Sequence, residues 1–433
     1  MSEAPALRRV IGRWQVVALT VNVVIGAGIF GLPSKLYQAA GAWSLLGLLG
    51  CAVLVTLMNL AIFELAGRFT TTGGPYRYAA EAYGPSVGFA VGWLAWLMRV
   101  TSMAAVLGVL CDYLGGIVPA LEDPVPRAVL VTAIITVLAV INIAGVRLAS
   151  IAGSLFTVGK LVPLVVLAVV GLWFIEPSRL APVDDLAIGS VARAAMLCIF
   201  AFTGFETATI LAGEMRDPRR DLPFALFAMT GIVLVVYGLL LVVSIGTVPA
   251  LGESPRPLVD AASAIAGKAG IAIVTIGALV SVSGALIALM TAVPRLLFAM
   301  AESGDLPRVL ATVHPKRGTP QVAIIATALA ALVLSLTGTF VWLVVIATTI
   351  RLSTYVLTSL AALVFRHRDG RSLWTLPAGI PVVMISLVLT GWMFASTHLD
   401  EIPLAALLCA AGFAIRALTA LSTRGYRRGR GLS

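Results

Sequence analysis

Charged residues are scarce in this 433-residue chain. Asp, Glu, Lys and Arg make up 12% of it, against about 25% in ordinary soluble domains, while 60% of the residues are hydrophobic. A soluble chain of this length needs far more polar surface to cover its cores. The composition therefore argues against a soluble globular protein and predicts one whose solvent is largely lipid.

Cysteine and histidine are too few and too dispersed to indicate a metal or redox centre. The four cysteines show no CxxC spacing, and the three histidines are scattered along the chain. We therefore expect no metal and no cofactor. The net charge of +10 comes from short basic clusters between apolar runs rather than from an extended basic face, which argues against nucleic-acid binding.

Long apolar runs are abundant, and a membrane-spanning helix needs about 20 mostly apolar residues. Reading from one helix-breaking cluster to the next predicts twelve spans. They are 14–34, 42–66, 85–115, 127–146, 154–175, 190–212, 222–248, 269–300, 321–337, 340–365, 376–396 and 402–421. The apolar run that ends at Pro33 is too long for a cleavable signal, so we interpret it as the first permanent span.

Basic residues concentrate in alternate loops and in both terminal segments, 1–13 and 422–433. Loops rich in Lys and Arg stay on the cytoplasmic side of a membrane. We therefore expect a multi-pass protein of the cell membrane with both termini in the cytoplasm.

Two predicted spans contain sequence that interrupts a helix. The first reads Gly26-Ala27-Gly28-Ile29-Phe30-Gly31, and the sixth has Gly204 near its middle. Glycine weakens a helix interior by roughly 1 kcal/mol relative to alanine. Paired interruptions at corresponding places in two halves are typical of inverted-repeat transporters. The halves would be 14–175 and 190–365, with two further helices in 376–421.

The first-span glycine segment also matches the dinucleotide motif GxGxxG letter for letter. A dinucleotide fold is excluded by context, because the motif lies in an apolar run and Cys51 occupies the place of the ribose-binding acid. Exposed amides at the start of a half-helix bind an anion such as a carboxylate. Close packing of glycines against a neighbouring helix is the alternative. Because the segment is paired with the break at Gly204, we favour a ligand site.

Charged residues inside the predicted spans cost roughly 2.5–3.5 kcal/mol each at the bilayer centre, so each needs a partner, water or a function. Lys160 lies about seven residues, or roughly 10 Å, into the predicted fifth span. It could either snorkel to the inner surface or release a proton during transport. Glu206 follows the sixth-span break, and we interpret it as a proton-sensitive link between the substrate site and an inner gate. Capping broken backbone or pairing with an arginine would also explain it.

Arg99 and Arg351 also lie inside predicted spans and stay protonated. They could be counter-ions, gate clamps or a second carboxylate anchor, and structural pairing is the preferred interpretation. Ser281 on the predicted eighth span could line a cavity or pack between helices. Phe residues around the sixth-span break could wall an apolar pocket or belong to the core.

Several short motifs follow one another in a specific order. They are the first-span glycine motif, Gly73-Gly74-Pro75-Tyr76-Arg77-Tyr78, Asn142-Ile143-Ala144-Gly145-Val146, Lys160-Leu161, Gly204-Phe205-Glu206, Gly213-Glu214-Met215-Arg216-Asp217-Pro218 and Gly304-Asp305-Leu306-Pro307. Together they resemble the amino acid–polyamine–organocation superfamily of transporters over nearly the whole chain. The resemblance implies an all-α, leucine-transporter-like fold of five-plus-five inverted repeats with helices 1 and 6 broken, followed by helices 11 and 12.

The resemblance also implies a substrate site and a mechanism of alternating access. It implies that amides of Ala27 and Gly28 hold the substrate carboxylate, while carbonyls of Val24, Phe200 and Thr203 hold its ammonium; Gly26 and Gly204 complete this predicted site. Lys160 matches a lysine whose ammonium, in proton-coupled members, replaces the sodium of sodium-dependent relatives. Ala27 stands where several members carry serine, which removes a hydroxyl contact but keeps the amide.

These features predict a secondary amino acid transporter, proton-coupled through Lys160, that favours small or medium neutral substrates. The expected partners are an amino acid, protons and the lipid bilayer. An exchanger or a sodium symporter of the same fold is the alternative. An intramembrane enzyme lacks support because no HExxH, paired-carboxylate or serine–base arrangement is apparent. A channel is disfavoured because paired broken helices suit an occluded site.

Overall fold

The computed structural model describes residues 9–66, 68–69, 72–115, 117–181, 187–202, 204–205, 207–254, 256–337, 340–369, 379–395, 407, 409–419 and 421. These residues are almost entirely helical, and none of them forms a β-strand beyond one isolated pairing of Ile11 with Met215. The predicted all-α class is confirmed.

The helices alternate with short 3₁₀ turns. The α-helices are α1 Arg13–Val24, α2 Leu32–Ala40, α3 Ser44–Ala66, α4 Pro75–Tyr83, α5 Pro85–Gly115, α6 Pro124–Ala144, α7 Val146–Gly171, α8 Pro177–Leu180, α9 Ile188–Phe202, α10 Thr207–Ile210, α11 Pro218–Thr247, α12 Pro257–Ala292, α13 Pro294–Glu302, α14 Gln321–Thr337, α15 Phe340–Asp369 and α16 Gly379–Ala395. An apolar helical segment, Cys409–Thr419, follows them. Helix α12 is kinked at Ala266 and Gly267, so its first part is a separate short helix.

Six helical stretches among the described residues are long and apolar enough to cross a membrane. They are Leu32–Leu57, Pro85–Cys111, Pro124–Ala144, Ile151–Phe174, Pro218–Thr247 and Pro257–Glu302. Their outward faces carry exposed apolar side chains such as Val125, Val158 and Val235, as expected where lipid is the solvent. The protein is therefore a polytopic membrane protein. The finer expectation of twelve spans in two five-helix repeats stays a prediction.

Helix α1 lies inside the bundle and packs against α7, α11 and α12. A Cβ at Gly153 of α7 would lie only 2.7 Å from Leu19 Cδ2 of α1, so the two helices approach closely because this residue is glycine. A Cβ at Gly277 of α12 would lie 2.8 Å from Pro163 Cγ of α7. Small residues thus allow three helices to converge.

The helix that contains the fifth predicted span begins before the span itself. The span is predicted from residue 154, and the apolar stretch is Ile151–Phe174, whereas α7 begins at Val146 and runs through Gly153 without interruption. The packing of α1 against Gly153 offsets the intrinsic weakness of glycine in a helix. Lys160 therefore lies near the middle of α7, roughly 21 Å of helix rise from its start.

Candidate functional site

The first predicted span is interrupted at its glycine segment. Helix α1 ends at Val24, and the next two residues leave the helical conformation, Ile25 with ψ 78° and Gly26 with φ −101° and ψ −147°. A 3₁₀ turn, Ala27–Phe30, then leads through Gly31 into α2. Such a break leaves carbonyl oxygens without helical donors on one side and amide groups without helical acceptors on the other.

Lys160 places its ammonium on the carbonyl side of this break. Its side chain is completely buried, and Nζ donates to the main-chain oxygens of Asn22 at 2.9 Å and Ile25 at 2.5 Å. The end of α1 carries the negative pole of the helix dipole, which attracts a cation. The snorkelling alternative for Lys160 therefore does not apply in this structure, because the side chain turns into the bundle.

Ser281 of α12 joins the same oxygen cluster. Its hydroxyl donates to the main-chain oxygen of Ile25 at 3.0 Å, and the side chain is fully buried. This hydrogen bond between α12 and the end of α1 agrees with the helix-packing interpretation of Ser281. The oxygen of Ile25 consequently receives hydrogen bonds from both α7 and α12.

Asn22 fastens α1 to α7 with its side chain. Its Nδ2 donates to the main-chain oxygen of Gly153, which also accepts a hydrogen bond from Thr157 Oγ1. The other face of the Asn22 amide lies against α12, where a Cβ at Gly284 would come within 2.5 Å of Asn22 Oδ1. The residue is fully buried. Sequence analysis missed this role, although an asparagine in an apolar span is a recognisable signal.

Tyr237 of α11 bridges the two interrupted spans. Its phenol oxygen lies 3.3 Å from the main-chain oxygen of Val24 and 3.4 Å from that of Ala201. The side chain is buried, and its ring meets Phe202 edge-on with centroids 5.6 Å apart. Sequence analysis did not select Tyr237. The local sequence of α11 does not show that the hydroxyl of this residue lies near the ends of two other helices.

The sixth predicted span is interrupted near the corresponding place. Helix α9 ends at Phe202 and α10 begins at Thr207. Gly204 has φ +106°, and a Cβ there would lie 2.7 Å from Val23 Cγ1, so this residue touches the break of the first span. Two predicted site residues, Thr203 and Glu206, lie outside the described residues.

The amide side of the first break faces open space. A Cβ built at Gly28 would meet no atom within 4 Å, and the same holds at Gly31. The backbone of Ala27 begins the 3₁₀ turn next to Gly28, and the backbone of Phe200 lies in the last turn of α9. Open space therefore exists at the α-carbons of Gly28 and Gly31, within the glycine segment that the sequence selects.

The aromatic residues near the sixth-span break have structural partners. Phe202 packs against Tyr237, and Phe205 stacks on Tyr355 of α15 with centroids 5.7 Å apart. Both phenylalanine side chains are almost completely buried. The core interpretation therefore holds for these two rings.

The two arginines assigned to spans have different environments. Arg99 is buried on α5, and its Nη1 donates to the main-chain oxygen of Ala95 one turn earlier. Arg351 lies half-buried on α15. The suggested partner for either one, Glu206, is outside the described residues.

A third arginine, Arg295, lies within the predicted span 269–300. Its side chain is completely buried on α13, where Nε donates to Glu214 Oε1 at 2.7 Å. Glu214 is equally buried. The sequence offers a signal for this burial, because Arg295 follows Pro294 within a long apolar run.

Comparison with known proteins identifies the family of this chain. Residues 11–406 match the family model described as amino acid permease. The chain is 31% identical over 343 residues to the serine/threonine exchanger SteT of Bacillus subtilis, covering 75% of each protein. It is also 31% identical over 318 residues to uncharacterized transporters of Mycobacterium tuberculosis and Mycobacterium bovis, covering 72% of this chain and 70% of each relative.

A bundle with two interrupted helices, in a chain whose relatives are transporters, defines a multi-pass membrane transporter rather than an enzyme. More particularly, the chain belongs to the amino acid permease family. The resemblance to the amino acid–polyamine–organocation superfamily is thereby confirmed, and amino acid transport is the activity of its class.

Proposed function

We propose that this protein is a secondary active transporter of small or medium neutral amino acids, coupled to protons through Lys160. The observation that carries the proposal is the buried ammonium of Lys160 on the oxygens of Asn22 and Ile25. A positive charge at the end of an interrupted helix is a suitable element for coupling, because release of one proton neutralises the ammonium.

The proposed substrate site lies between the two interrupted spans. Amides of Ala27 and Gly28 bind the carboxylate of the amino acid, and the open space at Gly28 leaves room for it. Carbonyls of Val24, Phe200 and Thr203 bind the ammonium, with Gly26 and Gly204 giving the backbone its irregular path. The ammonium of the zwitterion then contacts backbone carbonyl oxygens, and its carboxylate contacts backbone amides.

The proposed coupling step concerns the hydrogen bonds that Lys160 donates to the end of α1. Hydrogen bonds to a charged donor are roughly twice as strong as those between neutral groups. Loss of the proton weakens both contacts of Lys160 and the attraction to the negative end of α1. Helix α1 is then free to move away from α7, which opens the site to one side of the membrane. Glu206 is proposed to link this movement to the substrate site, and Arg99 and Arg351 to serve as structural counter-ions.

The proposed architecture has twelve spans, with repeats at 14–175 and 190–365, helices 11 and 12 in 376–421, and short segments 1–13 and 422–433. The protein is proposed to lie in the cytoplasmic membrane, with both termini facing the cytoplasm. The alternation of basic loops supports this orientation.

The test uses full-length protein in liposomes. A thermal-shift screen over the common amino acids, starting with serine and threonine, first identifies a ligand that stabilises the folded protein. Uptake of that amino acid is then measured with an inward proton gradient and after a protonophore has abolished it. We expect accumulation only with the gradient.

One variant, compared with a matched control, separates coupling from binding. Lys160→Ala should keep the ligand-induced thermal shift but lose gradient-driven accumulation. Lys268→Ala removes an exposed lysine of α12 and is the matched control, which should behave as wild type. Gradient-driven accumulation by Lys160→Ala would show that the role assigned to this lysine is wrong.

Amino acid exchange is the second candidate, and the 31% identity to the serine/threonine exchanger SteT favours it. In an exchanger, uptake depends on amino acid loaded inside the liposomes rather than on the proton gradient. Loaded and empty liposomes, each with and without sodium, distinguish exchange, proton symport and sodium symport in one experiment.

A further inference from the structure

The segment before α1 is attached to the segment before α11. The amides of Val10 and Ile11 both donate to the main-chain oxygen of Glu214 at 3.0 Å, and the amide of Arg216 donates to the oxygen of Ile11 at 3.0 Å. These bonds form the isolated pairing of Ile11 with Met215. The side chain of Ile11 is fully buried, so the attachment has a hydrophobic anchor as well.

This attachment gathers basic side chains from two distant parts of the chain on one surface. Five arginines there are exposed: Arg9, Arg13, Arg216, Arg219 and Arg220. Asp221 is paired with Arg13 at 3.0 Å, and Asp217 lies 3.8 Å from Arg220. Five arginines against two aspartates leave a surplus of positive charge at this place.

Exposed aromatic side chains adjoin the same arginines. Trp14 is 67% exposed and meets Phe224 of α11 edge-on, with ring centroids 5.3 Å apart. Phe227, one helical turn further along α11, is 47% exposed. Arg13 Cζ lies 4.8 Å from the centroid of the Phe224 ring. The five arginines together with Trp14, Phe224 and Phe227 are called the basic–aromatic patch below.

The chemistry of this patch matches one kind of partner. Tryptophan and phenylalanine on an apolar helix contact acyl chains, and arginines beyond them reach the level of lipid phosphates. A soluble anion would leave the aromatic rings without a partner, and an apolar surface alone would not need the surplus charge. We propose that the basic–aromatic patch binds an anionic phospholipid, with its phosphate on the arginines and an acyl chain along Trp14 and Phe227.

The bound lipid would touch both α1 and α11. Because α1 also carries the oxygens that Lys160 contacts, such a lipid would stabilise the attached position of the N-terminal segment and of α1. The lipid site itself does not depend on the proposed function, since it requires only the surface described here.

Quenching of tryptophan fluorescence by brominated lipid tests the proposal. Full-length protein is placed in phosphatidylcholine vesicles that contain a minor fraction of brominated phosphatidylglycerol or, in parallel, of brominated phosphatidylcholine. The contribution of Trp14 is obtained by difference from Trp14→Phe. We expect stronger quenching of Trp14 by the anionic lipid at the same bromine content, and we expect added salt to reduce the difference.

Neutralising three arginines of the patch provides the specific variant. R216Q/R219Q/R220Q should reduce the preference for phosphatidylglycerol by about tenfold or more. R308Q/K316Q/R317Q removes the same charge from an exposed loop before α14 and is the matched control, which should keep the preference. The unfolding temperature of each variant in detergent verifies that it is folded, and the salt dependence of the wild type gives a readout that needs no variant.

Three outcomes would overturn the proposal. Equal quenching of Trp14 by the two brominated lipids would show that no anionic lipid is selected. An equal loss of preference in both triple variants would assign the effect to the overall surface charge. Competition by millimolar inorganic phosphate, at constant ionic strength, would show a site for a soluble anion instead.

Discussion

Asn22 is joined to α7 by both its main chain and its side chain. Its carbonyl oxygen accepts a hydrogen bond from Lys160 Nζ at 2.9 Å, while its own Nδ2 donates to the oxygen of Gly153, two turns earlier on the same helix. Thr157 adds a third link through the oxygen of Ala18. The last turns of α1 are therefore held along one face of α7, and movement of α1 requires these links to separate.

Asn22→Ala should loosen this connection without leaving a buried oxygen unpaired, because Gly153 still accepts from Thr157 Oγ1 at 2.8 Å. A net hydrogen bond contributes about 1 kcal/mol, so the free energy of unfolding should fall by about that amount. Thermal unfolding in detergent measures the change. Thr136→Ala removes a hydroxyl that bonds only within α6 and should leave the unfolding temperature nearly unchanged. An equal effect of the two substitutions would contradict the role of Asn22 between helices.

Tyr237→Phe should weaken substrate binding while leaving the protein folded. The phenol contacts the oxygens of Val24 and Ala201, beside the proposed ammonium site, at 3.3 and 3.4 Å. Loss of a donor to this cluster is expected to raise KM for uptake by about fivefold, as for one ordinary hydrogen bond.

The control for this prediction is Tyr83→Phe. Its hydroxyl donates to the oxygen of Leu357 at 3.0 Å, away from the two breaks, and its removal should not change KM. An unchanged KM in Tyr237→Phe would mean that the phenol has no part in arranging the substrate site.

Gly28→Ala tests the open space beside the first break. The added Cβ meets no atom within 4 Å, so the free energy of unfolding should change by less than about 0.5 kcal/mol. The methyl group does enter the space assigned to the substrate carboxylate, so uptake should fall by about tenfold or more. Gly231→Ala, inside α11 and equally free of close neighbours, should keep full uptake. Normal uptake by Gly28→Ala would show that the substrate carboxylate does not bind at this position.

Arg295→Met should destabilise the protein strongly. It would leave the fully buried carboxylate of Glu214 without the guanidinium that now lies 2.7 Å away, and breaking such a pair costs about 3–5 kcal/mol. The fall in unfolding temperature measures this loss. Arg179→Met, which breaks a more exposed pair with Glu176, should lower stability by less than about 1 kcal/mol.

A double variant separates pairing from packing at this site. Adding Glu214→Gln to Arg295→Met removes the unpaired charge and should recover a large part of the lost stability. If the double variant were no more stable than Arg295→Met, the effect would come from the volume of the arginine side chain rather than from its charge.

Local sequence was sufficient for the features that depend on neighbouring residues. The apolar runs predicted helices that the structure contains, including Pro85–Gly115 and Gln321–Thr337 with the expected bounds. The glycine segment predicted where the first helix stops, because closely spaced glycines weaken a helix wherever they occur. Ordered motifs indicated the family before any contact was known.

Long-range contacts could not be predicted from the sequence, because they depend on how the helices are rotated and packed. The main-chain oxygens that Lys160 meets, and the two carbonyls that Tyr237 joins, come from residues more than a hundred positions away or from a different helix. The partner of Arg295 was likewise not predictable, because Glu214 is 81 positions away in the sequence.

The sequence by itself determined that this chain crosses a membrane, where its first helix breaks and to which family it belongs. Only the tertiary structure decided that Lys160 turns inward to the broken end of α1, because the direction of a side chain in mid-membrane depends on which helix packs against it. Burial of a charge is tolerable there since the interrupted backbone supplies the oxygens that water would otherwise provide.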